Sequence, residues 1–276
     1  MSSWNYIYTH FNPVAFNLGP LAVHWYGIMY ALALISALYI AKFFSKRYFK
    51  SILPKTLDSY FLWVEIGVIL GARIGYIIFY DPNALYYFTN PWQIFNPFAN
   101  GVFVGIRGMS FHGALIGFLI ATWGFSKKHK KNPWLFLDLV ALSVPLAYVF
   151  GRVGNFLNQE LVGKATEAPW GIYVAGILRH PSQLYEAFLE GIIVFIILLF
   201  YRKKQRFTGE LIAMYGLLYS LARFVAEFWR EPDYQIGYLF KEWISMGQFL
   251  SFFVAISSIL LYFYLYKKSQ NEHKRV

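Results

Sequence analysis

Cysteine is absent from all 276 residues, so disulfides, thiolate metal sites and a cysteine nucleophile supplied by this chain are excluded. Histidine is scarce, six residues with no HExxH-type pair, and neither a metal nor a cofactor is expected. Charge is thin as well. Asp, Glu, Lys and Arg make up 14% of the chain, against about 25% in ordinary soluble domains. What is present instead is apolar: 58% hydrophobic residues and 21% aromatic ones. The mean hydropathy of +0.42 is more than one soluble core can absorb. The composition implies an integral membrane protein.

A net charge of +11 suggests a nucleic-acid binder until its distribution is read. Most of the basic residues fall in four clusters. These are Lys42, Lys46, Arg47, Lys50 and Lys55; Lys127, Lys128, Lys130 and Lys131; Arg202, Lys203, Lys204 and Arg206; and Lys267, Lys268, Lys274 and Arg275. Each sits just beyond an apolar run, where positive-inside topology expects it. They are topology signals that also touch anionic membrane lipids, and no nucleic acid is expected as a partner.

A membrane-spanning helix needs about 20 mostly apolar residues. The sequence predicts seven, over 21–41, 57–80, 108–126, 134–151, 182–201, 209–229 and 244–266. With the four basic clusters inside, the chain alternates without conflict. The expected fold is therefore an all-α integral membrane protein of one polytopic domain, residues 1–276, with its N-terminus outside and its C-terminus cytoplasmic. The segments 81–107, 152–181 and 230–243 become outer loops. The opening MSSWNYIYTHFNP has neither a basic nor an apolar signal region and reads as an aromatic interfacial belt.

The basic residues left over are Arg73, Arg107, Arg152, Lys164, Arg179, Arg223, Arg230 and Lys241. All lie on the outer side of this topology, where the positive-inside rule gives no reason for them. Arginine presents a planar fork of donors that suits phosphate and carboxylate. Ionisable groups at membrane depth are functional candidates by default. Pairing with Glu160, Glu186, Glu190, Glu227 or Asp233 accounts for some of them.

In GRVGNFLNQELVG (151–163), glycines and asparagines alone suffice for a structural turn, whereas Arg152 calls for a ligand. In YSLARFVAEFWREPD (219–233), Tyr219, Arg223, Glu227 and Arg230 are spaced to stack on one helix face. Such a stack is either an ion-pair ladder or an anion site steadied by Glu227. Arg73 in GARIGYIIFY (71–80) lies between glycines that suit close helix packing. In GIRGMSFHGALIG (105–117), His112 is either an interfacial ring or a general base, and the GxxxG step is packing. HWYG (24–27) places His24 and Tyr26 in an outer belt, and RHPSQLYE (179–186) reads as a helix start.

Together these stretches resemble bacterial prolipoprotein diacylglyceryl transferase. GRVGNFLNQELVG is similar to that family's signature. HWYG, GARIGY, MSFHGALIG, RHPSQLYE, ARFVAEFWREPD and ISMGQ (244–248) follow in the family's order, across nearly the whole chain. Ala114 stands where many members have a second glycine, and the loop from Lys164 to Arg179 is short for the family.

The resemblance implies an enzyme of the bacterial cytoplasmic membrane with its active site towards the outer side. Its substrates would be phosphatidylglycerol and the lipobox cysteine of prolipoproteins. It also implies roles. Arg152 and Arg223 would bind the phosphate, and His112 would be the base. Asn155, Asn158, Glu160 and Gly163 would orient the headgroup or Arg152, with Tyr26, Tyr219, Glu227, Arg230 and Arg73 as further headgroup contacts. The competing reading from the residues alone is a lipid or anion transporter using the same arginines.

Overall fold

The structure, a computed structural model, describes residues 3–19, 21–99, 101–103, 105–106, 108–232, 237–239 and 243–274. Arg107, Asp233, Lys241 and Arg275 lie outside the described residues. The chain forms two compact units, residues 50–136 and residues 1–49 with 137–276.

Helices cover each of the seven predicted segments. They are α1 (Trp25–Tyr48), α2 (Pro54–Phe79), α3 (Phe111–Lys128), α4 (Pro133–Leu157), α5 (Ser182–Lys204), α6 (Glu210–Ala226) and α7 (Met246–His273). Among the described residues five of them, α1, α2, α4, α5 and α7, are long and apolar enough to cross a membrane. The other two do not meet that measure: α3 is long enough at 18 residues but includes His112, Lys127 and Lys128, and α6 has 17 residues.

The fold is not purely helical. Among the described residues, four two-stranded antiparallel pairs lie before or between the helices: β1 (Val14–Leu18) with β2 (Leu21–His24), β3 (Phe98–Ala99) with β4 (Val102–Phe103), β5 (Ile172–Val174) with β6 (Ile177–Arg179), and β7 (Tyr238–Leu239) with β8 (Ile244–Ser245). The first hairpin corrects the span expected from residue 21, because residues 21–24 pair as a strand and α1 starts at Trp25. Apolarity marks what can enter lipid; it does not say where the helix begins.

In the unit 50–136, α2 and α3 approach so closely that only small residues fit between them. A Cβ on Gly75 would lie 2.7 Å from Gly113 Cα, and one on Gly67 would lie 2.6 Å from Ala121 Cβ. Small residues bring backbones together where no hydrophobic force separates helix from lipid. One end of the pair is locked by Tyr60, Phe125 and Phe136, with Tyr60 Oη 2.9 Å from Thr122 Oγ1. At the other end Ser110 caps α3, accepting from Gly113 N at 3.1 Å, and its own N–H donates to Ala72 O.

In the other unit, α6 and α7 pack together, and a side chain on Gly216 would strike Ser258. The β5–β6 hairpin holds the N-terminal segment through Asn5, which donates to Pro169 O and Gly171 O. Helix α5 widens to a π-helix over Ala187–Ile193. Such wide turns recur at functional sites, and this one carries Glu190.

Candidate active site

The stretch expected as a loop after residue 151 is helical. Helix α4 continues to Leu157, so Arg152 and Asn155 ride its last turns. Arginine and asparagine do not break a helix, and what ends it is backbone geometry. Glu160 N–H donates back to Asn155 O at 3.1 Å, while Gln159 takes φ 58° and Leu161 φ 56°. The six-to-one bond over a left-handed residue closes the helix as glycine usually does. Here non-glycine residues hold that conformation, at about 1–3 kcal/mol each.

Position 163 does need glycine. A Cβ there would lie 2.5 Å from His180 O and 2.6 Å from Trp229 O. Gly163 N–H donates to His180 O and Lys164 N–H to Trp229 O, each at 2.9 Å, while Arg179 donates to Gly163 O at 3.0 Å and pairs with Glu231. The 163–164 turn thus ties the start of α5 to the chain beyond α6. Gly154 lies against α1 instead, where a Cβ would be 3.3 Å from Tyr26 Cδ2. Gly151 faces open space, and nothing in its surroundings requires a glycine.

Around Arg152 the buried polar groups converge. Its Nε donates to Tyr148 Oη at 2.6 Å and lies 2.9 Å from Glu186 Oε2, and its Nη1 donates to Asn155 Oδ1 at 3.3 Å. The same Glu186 oxygen is 3.0 Å from Arg223 Nη1, so one carboxylate oxygen bridges the two guanidinium groups. Arg223 also reaches Glu190 at 3.4 Å and Glu227, and Tyr148 Oη donates to Glu190 Oε2 at 2.5 Å. Ser245 Oγ donates to Glu227 Oε2 at 2.7 Å, and Arg230 lies 3.5 Å from Glu227. Tyr219 packs edge-on against Tyr148.

One expectation changes here. Arg230 is not on the helical stack, because α6 stops at Ala226 and Arg230 bridges to Gly163 in extended backbone. Its side chain still returns to Glu227. Arg223 pairs with Glu186, Glu190 and Glu227, an arrangement that both readings open in the sequence contain.

A second chain of contacts holds Glu160. Asn155 and Asn158 donate to its two carboxylate oxygens at 2.7 and 3.1 Å, and Gln183 donates to its main-chain carbonyl at 2.5 Å. Arg152, Asn155, Asn158 and Glu160 therefore form one connected network. Three arginines face Glu186, Glu190 and Glu227, so the cluster carries little net positive charge. It offers directed donors instead. Glu186 and Glu190 are fully buried, whereas the Arg152 side chain keeps 15% of its surface exposed. Arg152 Nη2 makes no hydrogen bond among the described residues, so this guanidinium is fixed at Nε and Nη1 and keeps the donors of Nη2 between them.

Sequence reasoning named Glu186 and Glu190 only as pairing candidates and did not mark Tyr148. The available signal was spacing, since Tyr148 lies four residues before Arg152 and Glu190 four after Glu186.

His112 and Arg73 belong to the unit 50–136. His112 occupies the first turn of α3, exposed, edge-on to Phe111, and hydrogen-bonds nothing among the described residues. Arg73 is buried. It donates to Ile94 O at 2.5 Å and Gly108 O at 3.1 Å and sits over the rings of Tyr76 and Tyr87. It clamps the segment between α2 and α3. Among the described residues no group of three or more His, Cys, Asp or Glu is placed to hold a metal.

A family model described as prolipoprotein diacylglyceryl transferase matches residues 13–264. The chain is 65% identical over 272 residues to a phosphatidylglycerol–prolipoprotein diacylglyceryl transferase of Campylobacter jejuni subsp. jejuni serotype O:23/36, covering 98% of this chain and 100% of the relative. Relatives of the same name in Campylobacter lari and Wolinella succinogenes are each 62% identical, over 98% of this chain.

Proposed function

The chain belongs to the prolipoprotein diacylglyceryl transferase family, and we propose from that premise that it moves the diacylglyceryl group of phosphatidylglycerol onto the lipobox cysteine of a prolipoprotein. It does so as a seven-span, single-domain protein of the bacterial cytoplasmic membrane, with the Arg152 network towards the outer face. The substrate's sulfur attacks the terminal glyceryl carbon of the diacylglyceryl group and forms a thioether. The C–O bond to phosphate breaks, glycerol 1-phosphate leaves with the electron pair, and the thiol proton passes to a base. No cysteine of the enzyme is consumed, in keeping with its absence from the sequence.

The observation that supports this reading best is the guanidinium pair bridged by Glu186, with the Nη2 donors of Arg152 left over for a ligand. A leaving phosphate gains negative charge as the C–O bond stretches. Donors already fixed in place stabilise that charge without reorganising, usually the largest contribution to catalysis. Arg152 makes the primary phosphate contact and Arg223 supports it. Glu186, Glu190 and Glu227 hold the guanidinium planes, and Asn155, Asn158 and Glu160 orient the glycerol headgroup. Gly163, Tyr26, Tyr219 and Arg230 are assigned further headgroup contacts, and Arg73 is assigned one on family membership.

His112 is assigned the base's role on chemical grounds. A free thiol of pKa about 8.5 is mostly protonated near neutral pH, and an imidazole with no competing hydrogen bond can accept its proton. The test is to incubate the purified protein with phosphatidylglycerol and a lipobox peptide and to weigh the peptide by mass spectrometry. Gain of one diacylglyceryl group is expected. An unmodified peptide with folded protein would overturn the reading.

A further inference from the structure

A second lipid-binding feature lies in the unit 50–136, apart from the residues given roles in transfer. Between α2 and α3 runs an open groove walled by Trp63, Ile66, Leu70, Ile74, Ile116 and Ile120. From Trp63 to Phe79 it follows α2 for about 24 Å, at 1.5 Å per residue. Its volume is about 560 Å³, or about 1140 Å³ counting the space in its open mouth. Its apolar lining suits hydrocarbon chains.

Its Trp63 end is charged. Lys128 Nζ sits 5.0 Å from the centre of the Trp63 ring. Lys127, Lys128, Lys130 and Lys131 are all exposed there, and Lys131 is tied to Ser51 O at 3.2 Å. An apolar slot of lipid length, ending at an amphipathic indole under an ammonium group, matches a lipid with a negative headgroup.

We infer that the α2–α3 groove is a resident site for one anionic phospholipid of the leaflet faced by the Lys127–Lys131 cluster. The phosphate is held at Lys128 beside Trp63, and the acyl chains lie along Leu70, Ile74 and Ile116. The site recognises headgroup charge and does not depend on the transferase reading.

The test uses the full-length protein in vesicles carrying a phospholipid with a photoactivatable acyl chain, followed by peptide-resolved mass spectrometry. The probe is phosphatidylserine, which is anionic but has no glycerol headgroup for the transfer reaction, compared with phosphatidylcholine. Labelling of residues 66–78 and 116–120 is expected to favour phosphatidylserine about fivefold, the effect of one cation near a membrane surface. Lys128→Glu should bring the two lipids to parity or reverse them, and Ile74→Trp should remove labelling of the groove by both. Equal labelling of the wild type, or a preference that survives Lys128→Glu, would overturn the site. Cross-links from one chain to another through these residues would make the groove a self-interface and overturn it equally.

Discussion

Helix α4 carries a buried polar cluster near each end, and the two are built on opposite plans. Near its start Asp138, fully buried, accepts from Gly209 N at 2.7 Å, Gln205 Nε2 at 2.8 Å and Ile212 N at 3.1 Å. Its carboxyl oxygens cap the first turn of α6, whose N–H groups would otherwise lack partners. Glu210 beside it takes donors from Tyr201, Arg206 and the Arg206 main chain. Near the end of α4, Arg152 is held at Nε by Tyr148 and Glu186 and at Nη1 by Asn155, and Nη2 is left without a hydrogen bond among the described residues. Where a buried group's bonds all return to the fold, burial serves architecture. Where a donor is left over, as at Arg152 Nη2, the same burial can present it to a ligand, which is the role proposed for Arg152.

Substitutions can break that contrast. The largest effect is expected for Arg152→Lys, which keeps the charge but not the fork. Loss of one preorganised transition-state contact removes about 2.7–4 kcal/mol, so transfer should fall about 100- to 1000-fold at normal protein levels in the membrane. Arg152→Ala should be no better.

His112→Ala should slow transfer about 100-fold near pH 7, the usual contribution of a general base. It should still bind phosphatidylglycerol. Raising the pH towards 9 ionises more of the substrate thiol, so part of that loss should return, and none should return for Arg152→Ala. Rate profiles that run parallel for both variants would remove His112 as the base.

Glu186→Gln takes away the carboxylate between the two guanidinium groups. It breaks two buried ion pairs at once, and removing one partner of such a pair is strongly unfavourable, so a loss of rate of about ten- to hundredfold is expected. A variant with unchanged kcat and KM would show that the bridge has no part in orienting Arg152. Tyr148→Phe deletes the hydroxyl that accepts from Arg152 and donates to Glu190. Each is a hydrogen bond to a charged group, worth about 1.5–3 kcal/mol, so a fall in rate of about tenfold is expected.

Much of this was legible in the sequence, for reasons visible in particular residues. Apolar runs must be helical in lipid because their backbone groups have no other partners, and all seven segments contain helices. The strand at residues 21–24 and the continuation of α4 past residue 151 were not legible, because hydropathy reports what lies in lipid and is silent on backbone geometry. Arg152, Asn155, Asn158 and Glu160 announced themselves as polar groups issuing from an apolar run. Tyr148 did not, being one aromatic ring among many in a chain with 22 tyrosines. Glu186 and Glu190 were visible as acids, but their placement on both sides of the π-helix boundary depends on a register that spacing alone does not reveal.

The account rests on the difference between the two ends of α4, and one paired measurement tests it. Arg152→Lys and Asp138→Asn are purified alongside the wild type. Transfer to a lipobox peptide is then measured per folded molecule, together with thermal unfolding in detergent. Asp138→Asn leaves N–H groups facing an amide, so it should lower stability by about 1–3 kcal/mol and leave the rate of the folded molecules unchanged. Arg152→Lys should unfold near the wild-type temperature and lose nearly all transfer. The opposite pattern, a fully active Arg152→Lys or an inactive but well-folded Asp138→Asn, would contradict the assignment of the phosphate site to the Arg152 end.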